Sequence, residues 1–259
     1  PITRILRMDD LLVAMPVLVA CTIAFIAGGI VKGTLSIGLP VVGLPLLSMV
    51  IDVRTAVGLL LVPILLSNVV QAIEGKGTFE LLRRFWRLTA ALAVGLIAGT
   101  ALLARLDQQA LLLTGGSLAL VASLLMIAKP NLALSPRAER WLVLPAGLAA
   151  GVMGGVSSMF GPLLVIYLLG LRLNRDEFVK AVSMVFTIGA AFLLIGSVSH
   201  GAAGPKVLAL SSLCMVPVYA GMLIGRRIRT YLPTDLFYRI VLAAVFLGGI
   251  NMLRQGLGW

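Results

Sequence analysis

The chain has 259 residues, of which 60% are hydrophobic and 12% are charged, and its mean hydropathy is +1.09. A soluble domain carries about twice that share of charged residues, so too little polar surface is present to cover a water-soluble globule. The net charge of +11 comes from Lys and Arg in short clusters between apolar stretches, which is typical of membrane loops and not of a nucleic-acid surface. We therefore predict an all-α, polytopic membrane helix bundle that binds no nucleic acid.

Eight apolar stretches are long enough, or nearly so, for membrane-spanning helices, which need about 20 residues each. In chain order they cover residues 11–31, 56–73, 88–104, 110–128, 141–159, 181–199, 207–225 and 236–253. Two shorter apolar pieces, 35–50 and 161–171, are interrupted by Gly and Pro. Irregular backbone at membrane depth persists only where protein or a watery cavity surrounds it, so both pieces predict broken helices inside the bundle.

Matching residues recur along the chain and predict an internal duplication. At a shift of about 122 residues, Gly29, Gly33, Ser36 and Pro40 fall on Gly151, Gly155, Ser158 and Pro162, and at a shift of about 126 residues Gly95 and Gly99 fall on Gly221 and Gly225. We predict two transmembrane repeats, residues 1–130 and 131–259, each with one Gly/Pro-broken segment. Broken helices at matching places in two repeats point to a transport site between them.

The basic residues bear on the topology, because Lys and Arg favour the cytoplasmic side. The four clusters are Lys76 with Arg83, Arg84 and Arg87; Lys129 with Arg137 and Arg140; Arg172 with Arg175 and Lys180; and Arg226 with Arg227, Arg229 and Arg239. If each broken segment forms a hairpin with the helix before it, all four clusters lie inside, both chain ends lie outside and the repeats are inverted. Eight simple spans would give parallel repeats and place two clusters outside. The charge distribution favours the inverted topology.

Lys32 is the first candidate for a functional side chain. It lies between Gly29 and Gly33, at the end of a long apolar helix. A charged group at membrane depth is costly unless it is paired or hydrated. Lys32 could face a substrate anion, or it could snorkel from the helix end to the interface. The matching position in the second half is Gly154 or Gly155, so the duplicate carries no second lysine.

Two Gly-Ser-Thr turns adjoin the broken segments. The first contains Gly33, Thr34, Ser36 and Gly38, and the second contains Gly155, Ser157, Ser158 and Gly161. Glycine lets the backbone approach a ligand, and a helix that restarts after such a turn offers N–H groups and a positive dipole end to an anion. The alternative is that the small residues only let helices pack closely. Two turns at equivalent positions favour a site for a tetrahedral or pyramidal oxyanion.

Four polar residues on two apolar helices are further candidates for substrate binding. Asn68 and Gln71 are three residues apart and share a helix face, and Ser183 and Thr187 are four apart on the corresponding helix of the second half. Their side chains could donate hydrogen bonds to a substrate. Equally, they could form interhelical hydrogen bonds, which are worth about 1 kcal/mol.

Sequence signatures of enzymes and metal sites are absent. The chain has no His-Glu-x-x-His, no Gly-x-Ser-x-Gly and no P-loop. His200 is the only histidine and is expected to be a loop residue. Cys21 and Cys214 are isolated, which gives neither a disulfide framework nor metal-ligand spacing. We therefore expect no enzyme activity, no cofactor and no metal.

The two turns and their surroundings resemble a known family. Residues 29–47 resemble the first-repeat signature of the TauE/SafE sulfite-exporter family, and residues 154–169 resemble its second-repeat signature. The likeness spans nearly the whole chain, although Ser157, Ser158 and Phe160 replace part of the glycine run that many members carry. The resemblance implies bacterial inner-membrane transport of sulfite or small organosulfonates, usually outward, and two repeats of about four helices each.

The candidate site residues and the family resemblance both indicate an anionic substrate. We predict a multi-pass secondary transporter that exports sulfite, a small organosulfonate or a related sulfur oxyanion by alternating access, with the substrate held at the midplane between the two broken helices. An anion channel or uniporter, and a non-transporting assembly subunit, stay open as alternatives. The expected partners are a small anionic substrate and membrane lipid, and a homodimer is compatible with the sequence.

Overall fold

A computed structural model describes residues 8–35, 38–74, 81–128, 133–228, 231 and 234–259. Within these residues the chain forms eleven α-helices and no strand. They are α1 Met8–Leu35, α2 Leu39–Leu47, α3 Val53–Glu74, α4 Leu82–Arg105, α5 Gln108–Ala128, α6 Pro136–Ser157, α7 Gly161–Gly170, α8 Arg175–Ser199, α9 Pro205–Leu213, α10 Met215–Ile228 and α11 Thr234–Gly256. Six spans are long and apolar enough to cross a membrane, with Pro205–Ile228 counted as one. The predicted all-α membrane bundle is confirmed.

Both predicted helix breaks are present, between α1 and α2 and between α6 and α7. Gly38 in the first break and Ser158 in the second have left-handed backbone, with φ of 97° and 61°. This conformation ends a helix and redirects the chain. The restarted helices α2 and α7 each have Pro in their first turn, where the missing N–H leaves no intrahelical bond unmade.

Prolines also account for two local irregularities in the long spans. The predicted span 207–225 is interrupted at Cys214, because Pro217 has no N–H to bond the Leu213 carbonyl. In α3, Pro63 likewise cannot bond the Leu59 carbonyl. Ser211 of α9 compensates there, since its hydroxyl donates to the Leu59 oxygen at 2.8 Å. The same hydroxyl accepts the N–H of the residue before Pro63 at 3.1 Å, so the freed backbone groups are satisfied inside the bundle.

Glycines bring two pairs of helices into backbone contact. The contacts join Gly95 to Gly151 and Gly99 to Gly155 between α4 and α6, and Gly29 to Gly221 between α1 and α10. A Cβ on Gly151 would lie 2.4 Å from the carbonyl oxygen of Leu92, which leaves no room for a side chain. We call these two helix interfaces, α4–α6 and α1–α10, the glycine seams. Each seam joins a helix of the first half of the chain to a helix of the second half.

The register of the seams gives the relative directions of their helices. On α4 and α6, Gly95 lies nearest the Leu148 carbonyl and Gly99 nearest the Val152 carbonyl, so both helices advance by four residues and run parallel. On α1 and α10, the carbonyls of Ile26 and Ile30 meet Gly221 and Gly225 in the same way, so these helices are also parallel.

Other contacts fix the remaining directions. Gly58 meets Val207 and Val62 meets Ser211, so α3 runs parallel to α9. Gly189 meets Leu92 and Gly196 meets Thr100, so α8 runs parallel to α4. Arg54 at the start of α3 donates to the carbonyl oxygens of Leu103 and Leu106 at the end of α4, so α3 and α4 are antiparallel. In consequence α1, α3, α9 and α10 point one way, and α4, α6 and α8 point the other way.

Helices at matching places in the two halves therefore run in opposite directions. This holds for α1 and α6, for α3 and α8, and for α4 and α10. It also holds for α5 and α11, where Gly116 meets Gly249 and Leu113 meets Gly256. Inverted repeats would have this arrangement. The division at residue 130 into duplicated repeats stays a prediction, and the glycine seams show that the halves interlock.

The helix directions gather the described basic clusters at one end of the bundle. The starts of α4, α6, α8 and α11 and the end of α10 lie at this end, and Arg84 on α4 is 3.8 Å from Glu177 on α8. The opposite end carries Arg54, Arg105, Lys206 and Arg254. This agrees with the inverted topology, and the assignment of the basic end to the cytoplasm stays a prediction. Lys76, Lys129 and Arg229 lie outside the described residues.

We expect Gly151→Ser to destabilise the protein, because its Cβ would force α4 and α6 apart. Overpacking of this kind costs about 1–3 kcal/mol. The matched control is Gly204→Ser, which meets open space at the N-cap of α9, a position that serine favours. Thermal unfolding of the detergent-purified variants is the measurement. Equal melting temperatures for the two variants would contradict the seam.

Candidate functional site

The two broken hairpins, α1–α2 and α6–α7, enter the bundle from opposite ends, and their tips meet around an interior cavity. The cavity is lined by Lys32, Gly38, Leu39, Pro40, Val41, Ile64, Ser67, Asn68, Ser158, Phe160, Gly161 and Phe186. Its volume is about 20 Å³, which is room for a water molecule. The predicted meeting of the two broken segments is thus a feature of the structure.

Lys32 is buried, with 4% of its surface exposed. Its ammonium group donates a hydrogen bond to the side-chain oxygen of Asn68 on α3. Among the side chains that the structure describes, Lys32 is the only buried charged one. Its position against Asn68 is that of an interior charge and not of a lysine that snorkels to the interface. An uncharged partner leaves the positive charge uncompensated, which favours the approach of an anion.

Ser158 offers a hydroxyl on the other side of the cavity. The residue is fully buried, and its Oγ has no hydrogen-bond partner among the described residues. Its left-handed backbone is unusual for a residue other than glycine and costs about 1–2 kcal/mol. A buried hydroxyl without a partner adds a further cost. A ligand that accepts a hydrogen bond in the cavity would satisfy this group.

Two helix N-termini also face the cavity. Leu39 begins α2 and Gly161 begins α7, and both residues line the cavity. Neither N-terminus has a side-chain cap, because the N-cap residues Gly38 and Phe160 offer no acceptor. The first N–H groups of a helix and its positive dipole end favour an anion. The Lys32 ammonium group, the Ser158 hydroxyl and the N-termini of α2 and α7 therefore all favour an anionic ligand.

A family model described as sulfite exporter TauE/SafE matches residues 20–252. The chain belongs to the TauE/SafE sulfite-exporter family. The match covers the second hairpin, the first hairpin from residue 20 onward and every residue that lines the cavity. Comparisons with curated proteins and with solved structures gave no match. Family and fold together make the protein a multi-pass membrane transporter.

Several residues of the two TauE/SafE signatures serve helix packing in this structure. Gly33 and Gly155 lie in the glycine seams, where a Cβ would come within 2.3 Å of the Met222 oxygen and 2.6 Å of Gly99 respectively. Thr34 donates to backbone carbonyls of α1 and α10, at 2.8 and 3.0 Å. Ser157 donates to a carbonyl of its own helix and accepts a backbone N–H. None of these four residues lines the cavity.

The polar residues predicted on α3 and α8 also include some that line the cavity and some that do not. Asn68 lines the cavity, while Gln71 lies three residues further along α3 and is half-buried outside it. Thr187 donates to the backbone carbonyls of Ser183 and Asn68, at 2.7 and 3.1 Å, and so joins α8 to α3. Ser183 is buried, and its hydroxyl has no partner among the described residues. Ser36 lies outside the described residues.

Ser67, Ile64 and Phe186 were not among the residues predicted from the sequence, and Phe160 was named only as a departure from the family's glycine run. Ser67 is fully buried beside Asn68, and its hydroxyl donates to the Ile64 carbonyl at 3.2 Å. All four residues line the cavity. Phe160 could have been proposed as a site residue, because it stands within the second signature where many family members carry glycine. The other three look like ordinary residues of apolar helices.

The single histidine and the two cysteines lie away from the cavity. His200 is the C-cap residue that follows α8, and its Nδ1 lies 2.9 Å from the Gly196 carbonyl oxygen and 3.2 Å from the Thr100 hydroxyl. Cys21 and Cys214 are free thiols. No cluster of three potential metal ligands occurs among the described residues.

A double-mutant cycle on Lys32 and Asn68 tests the buried charge. Asn68→Leu leaves the ammonium without its acceptor, so we expect a loss of about 2 kcal/mol of stability. Adding Lys32→Met to that variant removes the stranded charge and should restore part of the loss. Thermal unfolding of the wild type, both single variants and the double variant gives the coupling. Strictly additive effects would show that Lys32 is not held by Asn68.

Proposed function

We propose that the protein is a secondary transporter that exports sulfite or a small organosulfonate across the bacterial inner membrane by alternating access. The observation that carries the proposal is the convergence of Lys32, the Ser158 hydroxyl and two helix N-termini on one interior cavity. The family's description as sulfite exporters supports the substrate class and the outward direction.

The chemistry of the cavity favours a small anion with one negative charge. Lys32 provides one positive charge, and none of the described residues that line the cavity is acidic. A monovalent anion beside the ammonium would leave the loaded site electrically neutral, which lowers the cost of holding charge in a medium of low dielectric constant. Hydrogen bonds from Ser158 and from the helix ends would satisfy the remaining oxygen atoms.

Substrate entry requires the helices around the cavity to separate, because about 20 Å³ is too little for an anion of four or more heavy atoms. Helices that a glycine seam joins should move together as one rigid body. One body contains α1 with α10, and Lys32 belongs to it; the other contains α4 with α6, and Ser158 belongs to it. The cavity lies between these bodies, so rocking one against the other would open it towards one end of the bundle at a time.

Anion binding to the purified protein tests the proposal. Sulfite or ethanesulfonate should raise the melting temperature of the wild type, and chloride should not, since a ligand stabilises the folded state in proportion to saturation. Lys32→Gln should abolish the shift. Ser158→Gly should weaken binding about tenfold or more through loss of one hydrogen bond to a charged group. It should leave the fold at least as stable, because glycine is relaxed at a φ of 61°.

Lys206→Gln is the matched control for charge, because Lys206 is exposed at the start of α9. It should bind anions as the wild type does. If the folded Lys32→Gln variant bound anions with wild-type affinity, the proposed anion site at Lys32 would be refuted. Uptake into proteoliposomes then separates a carrier, whose flux saturates with substrate, from a channel, whose flux does not.

A further inference from the structure

The cavity has a cationic side and an aromatic side. Phe160 and Phe186 line it, with 2% and 5% of their surfaces exposed. Their rings are in edge-to-face contact, with centroids 5.4 Å apart and planes at 77°. Both residues come from the second half of the chain, whereas Lys32, Ser67 and Asn68 come from the first half.

At matching positions, one half of the chain has a large residue where the other half has a small one. Three pairs of positions are each 122 residues apart: Lys32 with Gly154, Gly38 with Phe160, and Ser67 with Gly189. The Phe160 side chain packs on the two second-half glycines, since a Cβ on Gly154 would lie 2.6 Å from Phe160 and one on Gly189 would lie 3.3 Å from it. The first half therefore supplies a lysine and a serine where the second half supplies room for a phenyl ring.

Glycine keeps part of the aromatic wall uncovered. Gly161 lines the cavity, and a Cβ there would lie 3.2 Å from the tip of the Phe186 ring. Ile64, which is 122 residues before Phe186, completes the apolar side. Any larger residue at position 161 would stand against the ring, so the glycine leaves Phe186 accessible to a bound molecule.

An inorganic oxyanion fits these two sides poorly. Its oxygen atoms point in all directions, and those that face the rings would lose hydration without gaining hydrogen bonds. An anion with a short apolar tail has no such loss, because the head group can face Lys32 while the tail contacts the rings. Each buried methylene group then increases affinity about fourfold.

We propose that Phe160 and Phe186 select a small organic anion that carries one charged head group and a short apolar tail, in preference to an inorganic oxyanion. Lys32 with Asn68 binds the head, and the aromatic pair binds the tail. The inference rests on the proposed function and narrows its substrate class. Phe160 and Phe186 are then residues that determine specificity, and Gly161 sets the space for the tail.

The test is a binding series with sulfite, methanesulfonate, ethanesulfonate and propanesulfonate. The three sulfonates carry the same charge, so tail length alone differs among them. In the wild type we expect ethanesulfonate to bind at least fourfold more tightly than methanesulfonate. Phe186→Ser, which replaces the apolar ring with a polar group, should remove most of that increment and weaken ethanesulfonate binding more than methanesulfonate binding. Phe246→Ser on the exposed face of α11 is the matched control and should keep the increment.

Gly161→Ala provides a second variant, which should weaken ethanesulfonate binding more than methanesulfonate binding by filling the tail space. Tighter binding of sulfite than of every sulfonate, or an unchanged tail increment in Phe186→Ser and in Gly161→Ala, would overturn the inference and leave the anion site standing. If no anion in the series bound the folded wild type, the proposed function itself would fail.

Discussion

Two helix breaks deep in the bundle expose backbone groups that hydrocarbon cannot satisfy. The fold encloses them by turning each break into the tip of a hairpin and bringing the two tips together. Gly38 and Ser158 supply the left-handed backbone at the tips, and the glycine seams bring the surrounding helices close enough to exclude lipid. The interior cavity follows from this arrangement, because two chain reversals cannot fill the space between them completely.

The same enclosure makes it possible to bury a lysine. Lys32 contacts Asn68 in the protein interior, and the N-termini of α2 and α7 at the cavity add positive potential to that of the ammonium group. Such a concentration of positive potential is unfavourable in the absence of an anion, and it becomes favourable when an anion is present. Binding of an anion would therefore remove an electrostatic cost that is present in the empty protein. This property is expected of a transporter that closes around its substrate.

Much of the fold could be read from the sequence, because every membrane span must be apolar and every break needs Gly or Pro. The placement of side chains could be read only in part. Lys32, Gly38, Asn68, Ser158 and Gly161 line the cavity, and their role in substrate binding stays a prediction. Thr34, Ser157 and Thr187 bond to backbone carbonyls instead, and a hydroxyl on an apolar helix gives no sign of which way its helix is turned. Phe186 was overlooked because phenylalanine is common in any membrane helix, and Phe160 was named only as a departure from the family's glycine run.

The crossed pairing of the seams has a consequence for biosynthesis. Thr34 on α1 bonds to a carbonyl on α10 that lies 191 residues later in the chain, whereas the α4–α6 seam joins glycines only 56 residues apart. During synthesis α1 enters the membrane long before α10 has been made. Until then, the glycines of α1 contact lipid or an insertion factor instead of α10. The α4–α6 body can therefore assemble before the α1–α10 body does.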